Sequence, residues 1–485
     1  MMDPRNLLIL MSDEHNPKVM GCAGNEIIRT PNLDALAREG TRFTSAYTTC
    51  PICVPARASF AVGKYVHQIG YWDNADAYDG AIPSWHHRLR DRGHEVVSIG
   101  KLHFRGAPGD DHGFTTEIVP MHVIDGIGDV KGLVRENIPR RRGGDKMARL
   151  AGPGESPYTV YDRDIAARAQ IWLHEAAKRV HDKPWVLFVS FVAPHFPLTA
   201  PPEWYYQYAD RDLPLPKQYG HDVRPHHPFL DDYARVVDYD RHFRDRDDIQ
   251  RALAGYYGLV SATDEHIGHV LAALRQSGLE GATRVLYTSD HGDNLGARGL
   301  WGKSTFFEES AGVPLILAGD GIPAGIERAT PVSLVDVYPF VFECVGATAP
   351  DDRELPGISL AALAAGQVPD RAVVSEYHAT TSVAGAYMLR EGDFKYVHYV
   401  AYPAQLYDLQ RDPEELHDVA GEPAYAETLA RLRRRLLEIL DPDEVDARAK
   451  RRQAELLERH GGRDVALARG DLGFTPAPGT EPEID

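Results

Sequence analysis

The chain has 485 residues, 43% of them apolar, and a formal net charge of −18. That size and apolar content fit one large α/β unit with a smaller companion and exclude wholesale disorder. The acidic balance excludes a basic nucleic-acid footprint but leaves room for a local cationic pocket that binds an anion. In chain order, "RNLLILMSD" is a short apolar run that delivers Asp13 and Glu14, and it predicts a buried parallel strand. Its apolar stretch is too short for a signal segment or a membrane span. No later stretch approaches spanning length, so the expectation is a soluble, cytoplasmic protein with no membrane partner. "TPNLDALAREG" predicts a helix with Thr30 as N-cap, Pro31 in the first turn and Gly40 closing it. The plan of helix then strand recurs through "SWHHRLRDRG…HEVVSIGK", through the helix that precedes "PWVLFVSFVAPH", and through the helix that precedes "TRVLYTSDHGD". Alternation of this kind predicts a mostly parallel sheet flanked by helices, with ligands bound at the carboxyl ends of its strands.

Two long segments, 110–157 and 201–248, interrupt the alternation and read as excursions over the sheet's functional edge. After residue 369 the texture changes to short strands with tight turns, then the amphipathic "PAYAETLARLRRRLLEIL". The expected organisation is a catalytic α/β domain at 1–369 and a smaller α+β domain with an antiparallel sheet at 370–440. A charged helix and tail at 441–485 form a candidate oligomerisation arm.

The chemistry-bearing residues gather at strand ends. Asp13, Asp290 and His291 form an oxygen-rich set with one imidazole, which suits a hard divalent cation. Arg57, Lys64, Lys101, His103, His195 and Lys303 lie in the short motifs "CVPAR", "VGK", "GKLHF", "APHFP" and "LWGK", and together they would bind a tetrahedral oxyanion. Cys50 and Cys53 form a CxxC, which taken alone is open to metal binding, a disulfide, a redox pair or a thiolate nucleophile. Four cysteines in a chain this long make no disulfide framework.

"CVPARASFAVGK" resembles the signature of the sulfatases, Cys-x-Pro-Ser/Ala-Arg followed by a glycine and a basic residue. "LMSDEH", "TPNLDALAREGTRFTSAY", "GKLHF", "APHFP" and "SDHGDNLGARGLWGK" resemble its companion motifs, in the same order. The likeness is strong from Asn6 to Leu317, looser beyond, and nearest to the choline sulfatase and phosphonate monoester hydrolase branch. It implies an alkaline-phosphatase-like α/β fold and a sulfuric ester hydrolase. It also implies that Cys53 is oxidised by a formylglycine-generating enzyme to formylglycine, while Cys50 serves packing. By that resemblance the aldehyde would hydrate to a geminal diol, a metal would acidify one hydroxyl, and that oxygen would attack sulfur as the alcohol leaves; the second hydroxyl would then lose its proton and the hemiacetal would collapse to the aldehyde, expelling sulfate.

The resemblance makes Asp13, Asp290, His291 and the modified Cys53 metal ligands, with Glu14 as a further candidate. The metal would be Ca²⁺, with Mn²⁺ or Mg²⁺ as alternatives. Arg57 and Lys64 would hold the formylglycine, and Lys101, His103 and Lys303 would clamp sulfate oxygens. His195 would donate a proton to the leaving oxygen or bind sulfate. "YWDNADAY" resembles the segment of choline sulfatases and phosphonate monoester hydrolases that places an asparagine on the substrate, which would be Asn74. The expected substrate is a small organic sulfate, aryl or alkyl, with Trp72, Tyr78, Trp85 and Trp204 as candidate partners for a cationic alcohol. Lys101 and His103 favour sulfate monoesters over the first alternative, a phosphonate or phosphodiester hydrolase, and retention of every motif residue speaks against the second, a silent metal-binding homologue. A homo-oligomer is expected.

Overall fold

The computed structural model describes residues 2–220, 222–350, 354–368 and 371–481. Its first strand, Asn6–Asp13, is buried from Leu7 onward. It lies parallel to Val186–Pro194 on one side and to Thr283–Ser289 on the other. Alternate side chains feed two cores. Leu7, Ile9 and Met11 join Phe60 and Val341 on one face, while Leu8 and Leu10 join Ile165 and Ile267 on the opposite face. A strand covered on both faces must be apolar at every position, which is why "NLLILM" lacks a polar alternation.

Eight strands complete this sheet, in the order Ile326–Arg328, Gly40–Phe43, Leu315–Ala318, Thr283–Ser289, Asn6–Asp13, Val186–Pro194, Val96–Lys101 and Thr116–Met121. Only Leu315–Ala318 runs against the others. The expected mostly parallel α/β sheet flanked by helices is therefore present. The long helices Pro157–Ala176 and Arg246–Gln276 cover one face. Cys53–Val62, Trp85–Arg90 and Val337–Val345 cover the other. The helix from Pro31 ends at Glu39, and Gly40 begins a strand directly.

Four adjacent parallel strands end on one edge. They deliver Asp13, Lys101, the turn at His195 and the pair Asp290–His291 to a single place.

A four-stranded antiparallel meander follows: Ala372–Tyr377, Ala386–Glu391, Phe394–Tyr399 and Gln405–Asp408. The helix Ala426–Ile439 packs Leu432 and Leu436 against it. Its core also takes in Tyr47, Cys50, Trp72 and Phe307 from earlier in the chain. After Asp441 the chain turns back over itself. Helix Pro442–Arg459 pairs Arg452 with Asp76 at 3.0 Å, and Gln453 donates to the His378 carbonyl at 2.8 Å. A short helix, Gly462–Ala468, leads into a tail that crosses the edge where the four strands end. Among the described residues, no helix is long and apolar enough to cross a membrane.

Candidate active site

Cys53 opens its helix beside the end of the first strand and is 1% exposed. Its Sγ lies 3.7 Å from Asp13 Oδ1, 3.2 Å from His291 Nε2 and 3.3 Å from Lys303 Nζ. Arg57, one helical turn later, points the same way because residues four apart share a helix face. Its guanidinium donates to Asp290 Oδ2 at 2.7 Å, Asp13 Oδ2 at 3.0 Å, the Lys101 carbonyl at 2.8 Å and Ser190 Oγ at 2.9 Å. With both Oδ2 atoms taken, the Oδ1 atoms of Asp13 and Asp290 face the thiol and imidazole side, 4.0 and 3.8 Å from His291 Nε2. His291 Nδ1 lies 3.0 Å from the Gly292 carbonyl, which only accepts, so that nitrogen carries the proton and Nε2 presents a lone pair. Asp13, Cys53, Asp290 and His291 thus form a group able to hold a metal ion, with one ligand atom from each within 4.8 Å of the others.

The cations surround this group. Lys101, wholly buried, pairs with Asp13 Oδ2 at 2.7 Å. Lys303 Nζ reaches Glu14 Oε2 at 2.9 Å, and Asp293 accepts from the amides of Gly302 and Leu295 to hold that loop. Against burial, Lys101, His195 and Arg57 keep the Asp13 carboxyl well below its usual range. Burial, followed by Asp13, pushes the Cys53 thiol up to about 12. Burial also pushes Glu14 up to about 7, against the pull of Lys303. His103 and His195 are both held well below the ordinary imidazole value, first by burial, then by Lys101 and Lys303 respectively.

His195 donates from Nδ1 to the Phe196 carbonyl and faces Glu14 Oε2 at 3.4 Å. Its turn is anchored by Asp162 of the helix Pro157–Ala176, which accepts from the amides of Val192 and Ala193 at 2.7 and 2.8 Å. Asn74 Oδ1 accepts from the Val54 amide at 3.3 Å, at the mouth of the same cavity.

Of the predicted site residues, Asp13, Cys53, Arg57, Lys101, Asp290 and His291 meet at the floor, and His103, His195, Asn74 and Lys303 line the cavity above. Glu14 turns to Lys303 and His195 and belongs to a neighbouring group with Asp13 and His195. Lys64 pairs with Glu354 at 2.7 Å and is not among the residues lining the cavity, because Gly63 ends the helix and turns the chain away. Cys50 is a buried free thiol in the second core, so the CxxC forms no disulfide. The nominated aromatics lie elsewhere. Tyr78 and Trp85 are core residues, Trp72 packs in the second core, and neither these nor Trp204 line the cavity. Its aromatic walls are Phe196, Tyr233, Tyr239 and Phe474. Both excursions contribute walls, through Arg141 of the first and Tyr233 and Tyr239 of the second.

The sequence reading missed the tail. Residues 471–475 line the cavity, Thr475 Oγ1 lies 3.0 Å from His103 Nε2, and Asp471 pairs with Arg141 and Lys131 at 3.1 Å each. No local motif marks these residues. Their only signal is an aromatic, Phe474, in a weakly apolar terminus.

A mostly parallel sheet that gathers carboxylates, an imidazole and a cysteine at its carboxyl edge, ringed by fixed cations, suits an enzyme that handles an anionic substrate. The family is resolved by comparison. The sulfatase family model matches residues 5–347, and the model for the C-terminal part of N-sulphoglucosamine sulphohydrolase matches 296–441. The chain belongs to the sulfatase family and is a sulfuric ester hydrolase with the alkaline-phosphatase-like fold. It is 34% identical to a choline-sulfatase of Rhizobium meliloti (strain 1021) over 86% of this chain and 83% of that protein. It is 28% identical to arylsulfatase K of Danio rerio, over 90% and 84% respectively. Among solved structures it is similar in fold to a phosphonate monoester hydrolase from Silicibacter pomeroyi. There the TM-score is 0.69 and the identity 24%, over 90% of this chain and 94% of that one.

Proposed function

We propose that this protein hydrolyses a small organic sulfate monoester, aryl or alkyl, using a formylglycine derived from Cys53 and one divalent cation. The observation that carries this reading is the division of labour imposed by Arg57. It occupies one oxygen of each aspartate and leaves the other pair beside Cys53 and the lone pair of His291. Two carboxylate oxygens, one imidazole nitrogen and the position-53 side chain fit a divalent cation, with Ca²⁺ first and Mn²⁺ or Mg²⁺ as alternatives. Formylglycine with its metal supplies a geminal diol whose hydroxyl is acidified. Without a metal ion, burial and Asp13 push an unconverted Cys53 thiol up to about 12, so the protein alone does not activate it as a thiolate.

In this reading the side chains of this chain do the rest. Lys101, His103 and Lys303 bind the equatorial oxygens of the sulfuryl group and offset charge that grows during transfer. His195 stands at the leaving-group side with Glu14 behind it, and this pair handles the proton taken up by the departing oxygen. Asn74 orients the ester. The aromatic walls and the ring of Asp129, Arg141 and Asp471 receive the alcohol or phenol. The choline-sulfatase relative supports a small alkyl sulfate and the arylsulfatase relative an aryl one.

Peptide mass spectrometry of the fragment containing position 53, in protein co-expressed with a formylglycine-generating enzyme, tests the reading together with aryl sulfate hydrolysis. Loss of mass matching thiol-to-aldehyde conversion, and sulfate release abolished by Cys53→Ala, is the expected result. An unmodified thiol without sulfate release would overturn it. Faster turnover of phosphonate monoesters than of sulfates would move the assignment to that class.

A further inference from the structure

Away from the active site, His112, Glu117 and His122 converge on one point. Glu117 projects from the edge strand Thr116–Met121, His122 follows that strand directly, and His112 lies in the turn that precedes it. His112 Nδ1 is 3.0 Å from Glu117 Oε1, and His122 Nε2 is 3.4 Å from Glu117 Oε2. One ligand atom from each of the three side chains lies within 4.8 Å of the other two.

The rings are held before any ligand arrives. His112 is 4% exposed and packs beside Phe104, with its carbonyl accepting from His86 Nδ1 at 2.9 Å. The ring of His122 lies against Gly106, where an added Cβ would fall 2.4 Å from His122 Cγ, so only glycine leaves the ring room. The remote nitrogens, His112 Nε2 and His122 Nδ1, are buried without hydrogen-bond partners. The polar engagement of both rings is therefore concentrated on Glu117. The Glu117 and His122 side chains are 24% and 21% exposed, which leaves a path from solvent.

We propose that His112, Glu117 and His122 form a second metal site, separate from the catalytic group, that binds a borderline transition-metal dication such as Zn²⁺. Two imidazoles with a single carboxylate are the donor set of that ion class, whereas Ca²⁺ and Mg²⁺ sites draw most of their ligands from oxygens. The site ties the 107–115 turn to the edge strand. The same strand supports the substrate-binding segment, since the Met121 carbonyl accepts from the amides of Leu102 and His103 at 3.1 and 2.8 Å. The metal there is a staple and takes no part in ester cleavage.

The test is a Zn²⁺ titration of the full chain with Ca²⁺ saturating, followed by equilibrium dialysis with metal quantification and by thermal unfolding. Wild type is compared with His122→Ala and with the isosteric Glu117→Gln. Wild type is expected to retain one more equivalent of Zn²⁺ than either variant and to gain at least about 2 °C in thermal midpoint from it. Co²⁺ substitution should give visible absorption bands that both variants lose, while sulfate ester hydrolysis is unchanged. Equal Zn²⁺ stoichiometry in all three proteins would overturn the proposal and reduce the cluster to a pair of hydrogen bonds.

Discussion

At the scale of single residues, Arg57 organises the site more than any other side chain. It is 2% exposed and donates to both aspartates, a backbone carbonyl and Ser190. A planar guanidinium with five donors can make all four of these contacts in one fixed fork, whereas an ammonium offers three donors around a single point. Arg57→Lys is expected to lower kcat/KM by at least about 10²-fold and to reduce tightly bound metal, as read by steady-state kinetics and metal analysis. Thr475 acts through another group. Its hydroxyl fixes the ring of His103 through Nε2. Thr475→Val should cost kcat/KM about 5- to 10-fold, the worth of one hydrogen bond, and should shift the pH profile. Thr475→Ser should restore both.

At the scale of elements, Glu376 ties the C-terminal sheet to the short helix Val66–Ile69. This wholly buried carboxylate on the strand Ala372–Tyr377 accepts from the His67 amide at 2.9 Å and faces His67 Nδ1 at 2.8 Å and His378 Nε2 at 3.0 Å. Against burial, His67 and His378 hold its pKa down at about 2. The folded value lies below the unfolded one, so the contribution is fully present above the unfolded carboxylate range and is lost as pH falls toward 2. Glu376→Gln should lower the unfolding free energy at pH 7 by about 1–3 kcal/mol, the cost of leaving buried donors without their acceptor, as measured by urea denaturation. The elements themselves were readable from local patterns. Pro31, Gly40 and the apolar run 7–11 are short-range signals with short-range causes. The helix starting at Cys53 was not foreseen as a helix. Its sequence "CVPARASFAV" is buried at every position and shows no amphipathic stripe.

At the scale of the whole molecule, the tail closes the cavity from 372 residues away in sequence, the separation between His103 and Thr475. Tyr158 donates to the Thr475 carbonyl, Phe474 packs on Tyr158 and Phe196, and Asp471 is gripped by Lys131 and Arg141. These are few contacts compared with a core element, so removing them should spare the fold. A chain ending at Gly470 is expected to keep its thermal midpoint within about 3 °C while KM rises and kcat/KM falls at least about 10-fold. Unchanged kinetics would show that the tail is a bystander.

Part of the site was legible because Asp13, Lys101 and Asp290–His291 sit at strand ends, and a parallel sheet brings adjacent strand ends together whatever their spacing in sequence. Asp13, Lys101, Asp290 and His291 follow from that rule, while Cys53 and Arg57, which lie on a helix, follow from the sulfatase resemblance. Lys64 shows where the rule stops: it lies 11 residues after Cys53, beyond a helix stop, and the turn at Gly63 sends it to Glu354. Trp72, Tyr78 and Trp85 show the same limit, since composition marks an aromatic but not the face it takes. The sequence alone determined the fold class, the sheet's polarity and the floor of the site, because hydrophobic period and strand-end chemistry are local properties. Only the tertiary structure decided the walls: which aromatics turn inward, that Glu14 faces Lys303 and His195, and that the last residues return over His103. Those choices depend on packing between distant segments, which no local pattern encodes.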